Sequence, residues 1–339
     1  MDHNYTFSIL VPAYNEEQSI QSCLRSIIAI PDKKEIIVID DASTDRTAEI
    51  VEQFSDKGVT LFRRKKNGGR AAALNSGLQR CTGDIVVTTD ADTVVPPGWL
   101  QRLAVHFQQK GVIAVGGAYQ ASNQDKPLVN AMSILDQILN RLLRKFIIPN
   151  KLSGVNSAIY RDVLLRLNGF NENAWWSEDS ELGWKMKNAG RVVYDPHNIV
   201  NTAYPATWAD IWKRKFYWGY AMGLKFKEQV PFTIKLWLRP LIFLTLFTSL
   251  IVFLTTLPFG LNVYLIPGII FSFLLSVLTI LYIPLGVIVI IKNKDYESFK
   301  ALPFLAILPI VREFAYMYGM CLGFCKGRMG TIKPTWKGI

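Results

Sequence analysis

The stretch Glu35-Ile36-Ile37-Val38-Ile39-Asp40-Asp41-Ala42-Ser43-Thr44-Asp45 runs from a block of β-branched residues straight into carboxylates. An apolar run of this length without alternation is buried on both faces, as in parallel sheets. The same pattern recurs on either side. Upstream, Phe7 to Val11 leads into Pro12-Ala13-Tyr14-Asn15-Glu16; downstream, Val59 to Phe62 is a third strand, and Asp84 to Thr89 leads into Asp90-Ala91-Asp92. Helical patterns separate them. Glu17 to Ile30 places Ile20, Leu24, Ile27 and Ile28 on one face, and Ser43 to Phe54 and Gly69 to Gln79 read likewise. The alternation predicts an α/β fold with a mostly parallel, Rossmann-like sheet and helices on both faces.

Ligands of open parallel sheets bind at the carboxyl ends of the strands. The segments that follow the first, second and fourth strands carry Glu16, Asp40, Asp41, Asp90 and Asp92, so acids converge on one edge. Crowded carboxylates raise one another's pKa unless a cation or hydrogen-bond donors compensate. The edge is therefore expected to hold a ligand. Asp90-Ala91-Asp92 turns two hard oxygen donors to the same side of an extended segment, which suits one divalent ion, Mg²⁺ or Mn²⁺, with positions left open for phosphate. Asn67-Gly68-Gly69-Arg70 joins a glycine turn to a helix start, where backbone amides and Arg70 could meet a phosphate. The basic run Arg63 to Lys66 before it reads equally well as a phosphate contact or a solvated loop.

The second half of the chain has a different character. From Pro240 to Ile291 there is no Asp, Glu, Lys, Arg or His. A span needs about 20 apolar residues, so the run holds two, near 240–258 and 263–291, with a turn at Phe259-Gly260-Leu261-Asn262. The boundary falls near Lys235, dividing a 1–235 soluble domain from a 236–339 membrane domain. Of a formal charge of +11, more than half sits beyond residue 235. Arg239 before the spans and Lys292, Lys294 and Lys300 after them place both flanks in the cytoplasm. The excess therefore reads as contact with membrane lipids, not nucleic acid. Residues 301–325 form a third apolar stretch broken by Arg312 and Glu313, a costly pair in lipid, which favours an interfacial or re-entrant helix over a third crossing. Met1 to Thr6 is too short and polar for a signal peptide, so the soluble domain is expected to be cytoplasmic on a multi-pass cell-membrane protein. Cys23, Cys81, Cys321 and Cys325 show no disulfide spacing.

Six ordered motifs, VPAYNE, VIDDASTD, NGGRAAALNSG, TTDADT, SGVNSAIYR and WWSEDSELGWKM, span roughly residues 7 to 220 and closely resemble glycosyltransferase family 2, inverting enzymes of the GT-A fold. The resemblance implies that Pro12, Tyr14 and Glu16 with Asp40 or Asp41 hold the nucleoside of a nucleotide-diphosphate sugar, a UDP-sugar being the leading candidate. It implies that Asp90 and Asp92 hold the metal and diphosphate, and that Arg70 stands where many members have Lys. Asp179, beside Glu178 in the catalytic pair, matches the family's base, which deprotonates a hydroxyl of a lipid-linked or glycan acceptor. By the residues alone, Glu178 and Asp179 also suit the first turn of a helix from Glu178 to Asn188 capped by Ser177.

The resemblance has limits. Polymerising members carry Gln-x-x-Arg-Trp before the membrane, and here the stretch is Trp212-Lys213-Arg214-Lys215-Phe216-Tyr217-Trp218-Gly219. Transfer of single sugars is favoured over a processive polysaccharide synthase. A polyprenyl-phosphate sugar synthase is the other enzymatic alternative, and a non-catalytic membrane scaffold the least favoured. His3, His106 and His197 are scattered and read as structural.

Overall fold

The computed structural model describes residues 5–123, 125–146, 152–173, 178–224, 287–288 and 300–326. The span at 240–258, that at 263–291 apart from 287–288, the boundary near Lys235 and the cap Ser177 lie outside these residues. Two compact units result: residues 1–123, 148–203 and 333–339 form one, and residues 124–147 and 204–332 the other.

The first unit is built on an eight-stranded sheet. Strands β1 (Phe7–Ala13), β2 (Lys34–Asp40), β3 (Val59–Arg63) and β4 (Ile85–Thr88) pair in parallel in the order β3-β2-β1-β4. Every residue of β1 and β4 is buried, as the unbroken apolar runs predict. The sheet continues through β7 (Ser157–Tyr160), β6 (Val112–Ala121), β8 (Arg191–Thr202) and β5 (Thr93–Val94). Here β7 runs antiparallel to both β4 and β6, β6 pairs with β8 in parallel, and β5 joins β8 antiparallel. The expectation of a mostly parallel sheet thus holds for its first half and gives way to a mixed second half. The reason lies in connectivity: β4 and β7 are antiparallel neighbours joined by a long excursion, and no local pattern announces such pairing.

Helices cover both faces. Alternate residues of β1 point oppositely, so Ile9 and Val11 pack with Cys23, Leu24 and Ile27 of α1 (Ile20–Ile28) and with Trp99 and Leu103 of α4 (Trp99–Phe107). Leu10, with Ile37 and Ile39 of β2, packs against α3 (Arg70–Leu78), α6 (Arg161–Arg166) and α7 (Glu178–Lys185). A Cβ on Gly77 of α3 would lie 2.7 Å from Ile39 Cδ1 and 2.8 Å from Leu10 Cδ2, so only glycine lets this helix approach so closely. The short helix α2 (Thr47–Glu52) and a 3₁₀ turn at Ser55–Lys57 replace the single helix predicted over Ser43 to Phe54.

The second unit contains α5 (Pro127–Phe146), α8 (Trp208–Leu224) and α9 (Leu302–Lys326). Glycines interleave along the α8–α9 crossing. Cβ atoms added at Gly219, Gly319 and Gly323 would fall 1.8, 2.0 and 2.2 Å from the carbonyl oxygens of Tyr316, Phe216 and Tyr220. Gly319 and Gly323 are four residues apart, the spacing that lets helix backbones touch. The third apolar stretch, interrupted in its hydropathy by Arg312 and Glu313, is one continuous helix with Pro309 inside it. Over Leu302–Gly323 it is long and apolar enough to cross a membrane, by length and composition. Arg312 is buried against Asp136 of α5, Nη2 to Oδ1 at 2.7 Å, and its Nη1 lies 3.8 Å from Met132 Sδ. A paired charge removes much of the penalty that an isolated one would incur.

Candidate active site

The loops after β1 and β2 are laced together before any ligand arrives. Asn15, with φ of 57°, donates its amide to Ser43 Oγ at 2.9 Å and accepts from the Thr44 amide at 2.8 Å. The Glu16 amide donates to Thr47 Oγ1 at 2.7 Å, and the Glu17 amide to Asp45 Oδ2 at 3.1 Å. Pro12, inside β1, and Tyr14, just beyond it, are carried on this braced edge next to Asp40.

Asp40 and Asp41 are both fully buried, and each pairs with an arginine of the basic run. Asp40 accepts from the Ser43 amide at 2.9 Å and pairs with Arg63 Nε at 3.0 Å. Asp41 pairs with Arg64 and accepts from the amides of Gly68, at 3.0 Å, and Gly69, at 2.7 Å. Burial nevertheless leaves the Asp41 carboxyl above its usual range, the Gly68 amide and Arg64 offsetting only part of the cost. The glycine turn and the basic run thus brace the Asp41 carboxylate.

Arg70 is likewise engaged by protein groups. Its side chain is 13% exposed. Nε lies 2.9 Å from Asp90 Oδ1, Nη1 lies 2.8 Å from Glu178 Oε1, and Nη2 lies 2.7 Å from the Gly154 carbonyl. Burial would lower its pKa, but Asp90, Glu178 and Asp179 outweigh burial and raise it. Glu178 in turn is raised, first by burial and also by neighbouring Asp179, against the pull of Arg70. Gly154 closes the circuit: its amide donates to Asp179 Oδ2 at 3.1 Å while Thr88 Oγ1 donates to its carbonyl at 2.9 Å. One guanidinium thereby connects the acid after β4 to the acidic pair at the start of α7.

Asp92 accepts from Thr202 Oγ1 of β8 at 3.0 Å, a contact created by the pairing of Thr93 with Thr202. Glu16 is pushed up to about 7, first by burial and further by Asp92 and Asp90, with a Ser19 hydrogen bond opposing. Acids that repel in this way suit a divalent cation with hard oxygen ligands. Among the described residues no group of three or more His, Cys, Asp or Glu side chains is gathered to hold a metal by itself. An ion held by Asp90 and Asp92 would thus complete its shell from a diphosphate and water, the usual habit of Mg²⁺. Cys23 lies behind this cluster, buried, with its thiol 3.5 Å from the Asp90 carbonyl and its pKa driven up by burial.

Sequence reading named every acid of this edge, but it missed Gly154, Thr88 and Thr202. Gly154 stands in the quoted motif SGVNSAIYR, which was the available signal; Thr202 has none, because strand pairing alone brings it to Asp92. His106 and His197 stay outside the site, His106 Nε2 pairing with Asp195 at 3.1 Å.

Carboxylates gathered where β1, β2 and β4 end, with a second acidic pair delivered beside them by α7, are the mark of a GT-A-like α/β fold. Residues 8–166 match the family model Glycosyl transferase family 2. The chain is 29% identical over 232 residues to the probable glycosyltransferase YdaM of Bacillus subtilis (strain 168), covering 62% of this chain and 54% of that protein. It is 27% identical over 220 residues to the poly-beta-1,6-N-acetyl-D-glucosamine synthase of Staphylococcus aureus (strain COL), covering 62% of this chain and 53% of the relative. The matches thus span about half the length of these relatives. Among solved structures, the mannosyltransferase PcManGT from Pyrobaculum calidifontis, in complex with GDP-Man and Mn²⁺, superposes with a TM-score of 0.61 at 20% identity, covering 97% of this chain and 88% of that one. At that identity the likeness establishes the fold.

Proposed function

We propose that this protein is an inverting, metal-dependent hexosyltransferase that moves a sugar from a nucleotide-diphosphate donor, a UDP-sugar first among them, to a hydroxyl of a lipid-linked or glycan acceptor. The domain of residues 1–235 works at the cytoplasmic face of the cell membrane, anchored by the segments within 236–339. The observation that carries the reading is the Arg70 circuit. It holds Asp90, on the metal side, and Asp179, on the acceptor side, in one hydrogen-bonded frame through Glu178 and Gly154. Separated acids held rigidly across a donor site are what a single displacement requires.

In this reading Asp40 and Asp41, with Pro12, Tyr14 and Glu16, receive the nucleoside. Asp90 and Asp92 hold Mn²⁺ or Mg²⁺, which when bound would neutralise the departing diphosphate. Asp179 takes the acceptor proton. The relatives and the structural neighbour support a nucleotide sugar as donor, since they are a probable glycosyltransferase, a poly-beta-1,6-N-acetyl-D-glucosamine synthase and a mannosyltransferase in complex with GDP-Man.

A thermal-shift screen of UDP- and GDP-sugars, each with and without Mn²⁺ or Mg²⁺, tests this. A true donor at a hundred times its Kd adds about 2.7 kcal/mol of stability. Stabilisation by one nucleotide sugar only when the metal is present, lost in Asp92→Asn, is expected. Stabilisation that is indifferent to EDTA would remove the metal from the account.

A further inference from the structure

The amino ends of the same central strands form a second concavity that the transfer site does not use. A cleft of about 620 Å³ opens between Tyr5, ahead of β1, the Thr82-Gly83-Asp84 turn ahead of β4, and Tyr160-Arg161-Asp162 at the end of β7. From Asp84 to Asp90 along β4, at about 3.3 Å per residue, is roughly 20 Å, so this cleft lies at the opposite end of the sheet from the acidic edge. Its volume falls in the range of small-molecule sites, about 300–1,000 Å³.

The chemistry of the walls is mixed in a way that packing alone does not explain. Arg161 has its Nε buried without a hydrogen-bond partner, and its guanidinium makes no ion pair among the described residues. A buried donor left unsatisfied is costly, and ligands are the ordinary remedy. Tyr5 and Tyr160 meet hydroxyl to hydroxyl at 3.3 Å, one donating to the other. Their rings are held edge-on against the buried Phe107, with centroids 6.2 and 4.7 Å away, so the aromatic wall is rigid. Burial and the Tyr5 hydroxyl push the Tyr160 phenol up, keeping it protonated. Opposite the cation stand two carboxylates. Asp84 spends Oδ2 on the Thr6 amide and hydroxyl, and Asp162 is shared with Arg166.

An anion would gain Arg161 but face Asp84 and Asp162; a cation would meet the reverse. A neutral polyhydroxylated ligand satisfies donors and acceptors together and lays its C–H face on the tyrosine rings. We infer that the cleft at the amino ends of β1 and β4 is a saccharide-binding site, separate from the transfer site, sized for a mono- or disaccharide unit and centred on Arg161 and Tyr160. It rests on the cleft's own residues and holds whether or not the acceptor of the transfer reaction is a hydroxyl.

Saturation-transfer NMR on the full chain in detergent tests it, with glucose, N-acetylglucosamine, cellobiose and chitobiose as probes. Spectra are taken first without nucleotide and then with UDP, GDP and Mn²⁺ added to fill the transfer site. At least one of the four sugars should give transfer signals that persist under nucleotide and that fall at least about fivefold in Arg161→Met and in Tyr160→Phe. Thr82→Trp, at an exposed rim position, should block the cleft and abolish the signals even if Arg161→Met folds poorly. Signals from none of the four sugars, signals that vanish when nucleotide is added, or signals untouched by Thr82→Trp would overturn the inference. Displacement of the bound sugar by inorganic phosphate would also overturn it, by making the cleft an anion site.

Discussion

Two buried arginines, Arg70 in the sheet unit and Arg312 in the helical unit, use the same chemistry to opposite ends. Arg312 meets one carboxylate, Asp136, at 2.7 Å across two helices, with side chains 4% and 17% exposed. Arg70 is contacted by two carboxylates and a carbonyl, and Asp179 adds to the negative potential around it. A cation hydrogen-bonded to one carboxylate across a helix crossing closes a packing problem, whereas one hydrogen-bonded to groups from three separate segments ties those segments together. The difference is a practical guide: what marks a site is the set of segments a buried arginine joins, not its burial.

Arg70→Met should have the largest effect. Breaking a buried pair by removing one partner typically costs about 3–5 kcal/mol, and losing the alignment of Asp90 with Asp179 should cut turnover by about 10²–10³-fold. Restoring apolar balance with Arg70→Met/Glu178→Leu should recover thermal stability but not turnover. If the double variant regained activity, Arg70 would be packing and nothing more.

Arg312→Met should destabilise by about 3 kcal/mol for the same physical reason. Here, however, Arg312→Met/Asp136→Leu should return to within about 1 kcal/mol of the starting protein, since apolar replacement of a buried pair is often neutral. Calorimetric midpoints of the two double variants, read beside turnover, separate the roles. A stable Arg312 double variant that had lost transfer would show that the helical ion pair is functional after all. At the small end, Arg46→Ala removes an exposed pair with Glu49 and should leave both the melting midpoint and turnover unchanged.

The halves of the sheet differ in how far the sequence reveals them. β1 to β4 are visible because strands buried on both faces read as unbroken apolar runs, and the acids after them mark the ligand edge. Strands β6, β7 and β8 escape: β8 carries Pro196 and polar residues at exposed positions, and its partners are set by pairing across the chain. The acids of the site were legible one by one, yet their partners were not. Arg70 and Glu178 are 108 residues apart, and no spacing rule connects them. Local spacing reads Arg70, Gly68 and Gly69 as able to meet a phosphate, and their carboxylate partners Asp41, Asp90 and Glu178 come from elsewhere in the chain. The partner of Arg312, Asp136, is equally hidden, 176 residues away.

The central claim is that Asp179 is the base of a sugar transfer to a hydroxyl. Asp179→Asn keeps the size of the side chain and the start of α7 while removing basicity, so turnover and nucleotide affinity should separate. With the donor identified by thermal shift, turnover should fall by about 10²–10⁴-fold, while the nucleotide Kd stays within about twofold of the starting protein because the proposed nucleoside contacts follow β1 and β2. Near-normal turnover of the variant, above all with a polyprenyl phosphate as acceptor, would contradict the account and leave Asp179 a helix-start residue.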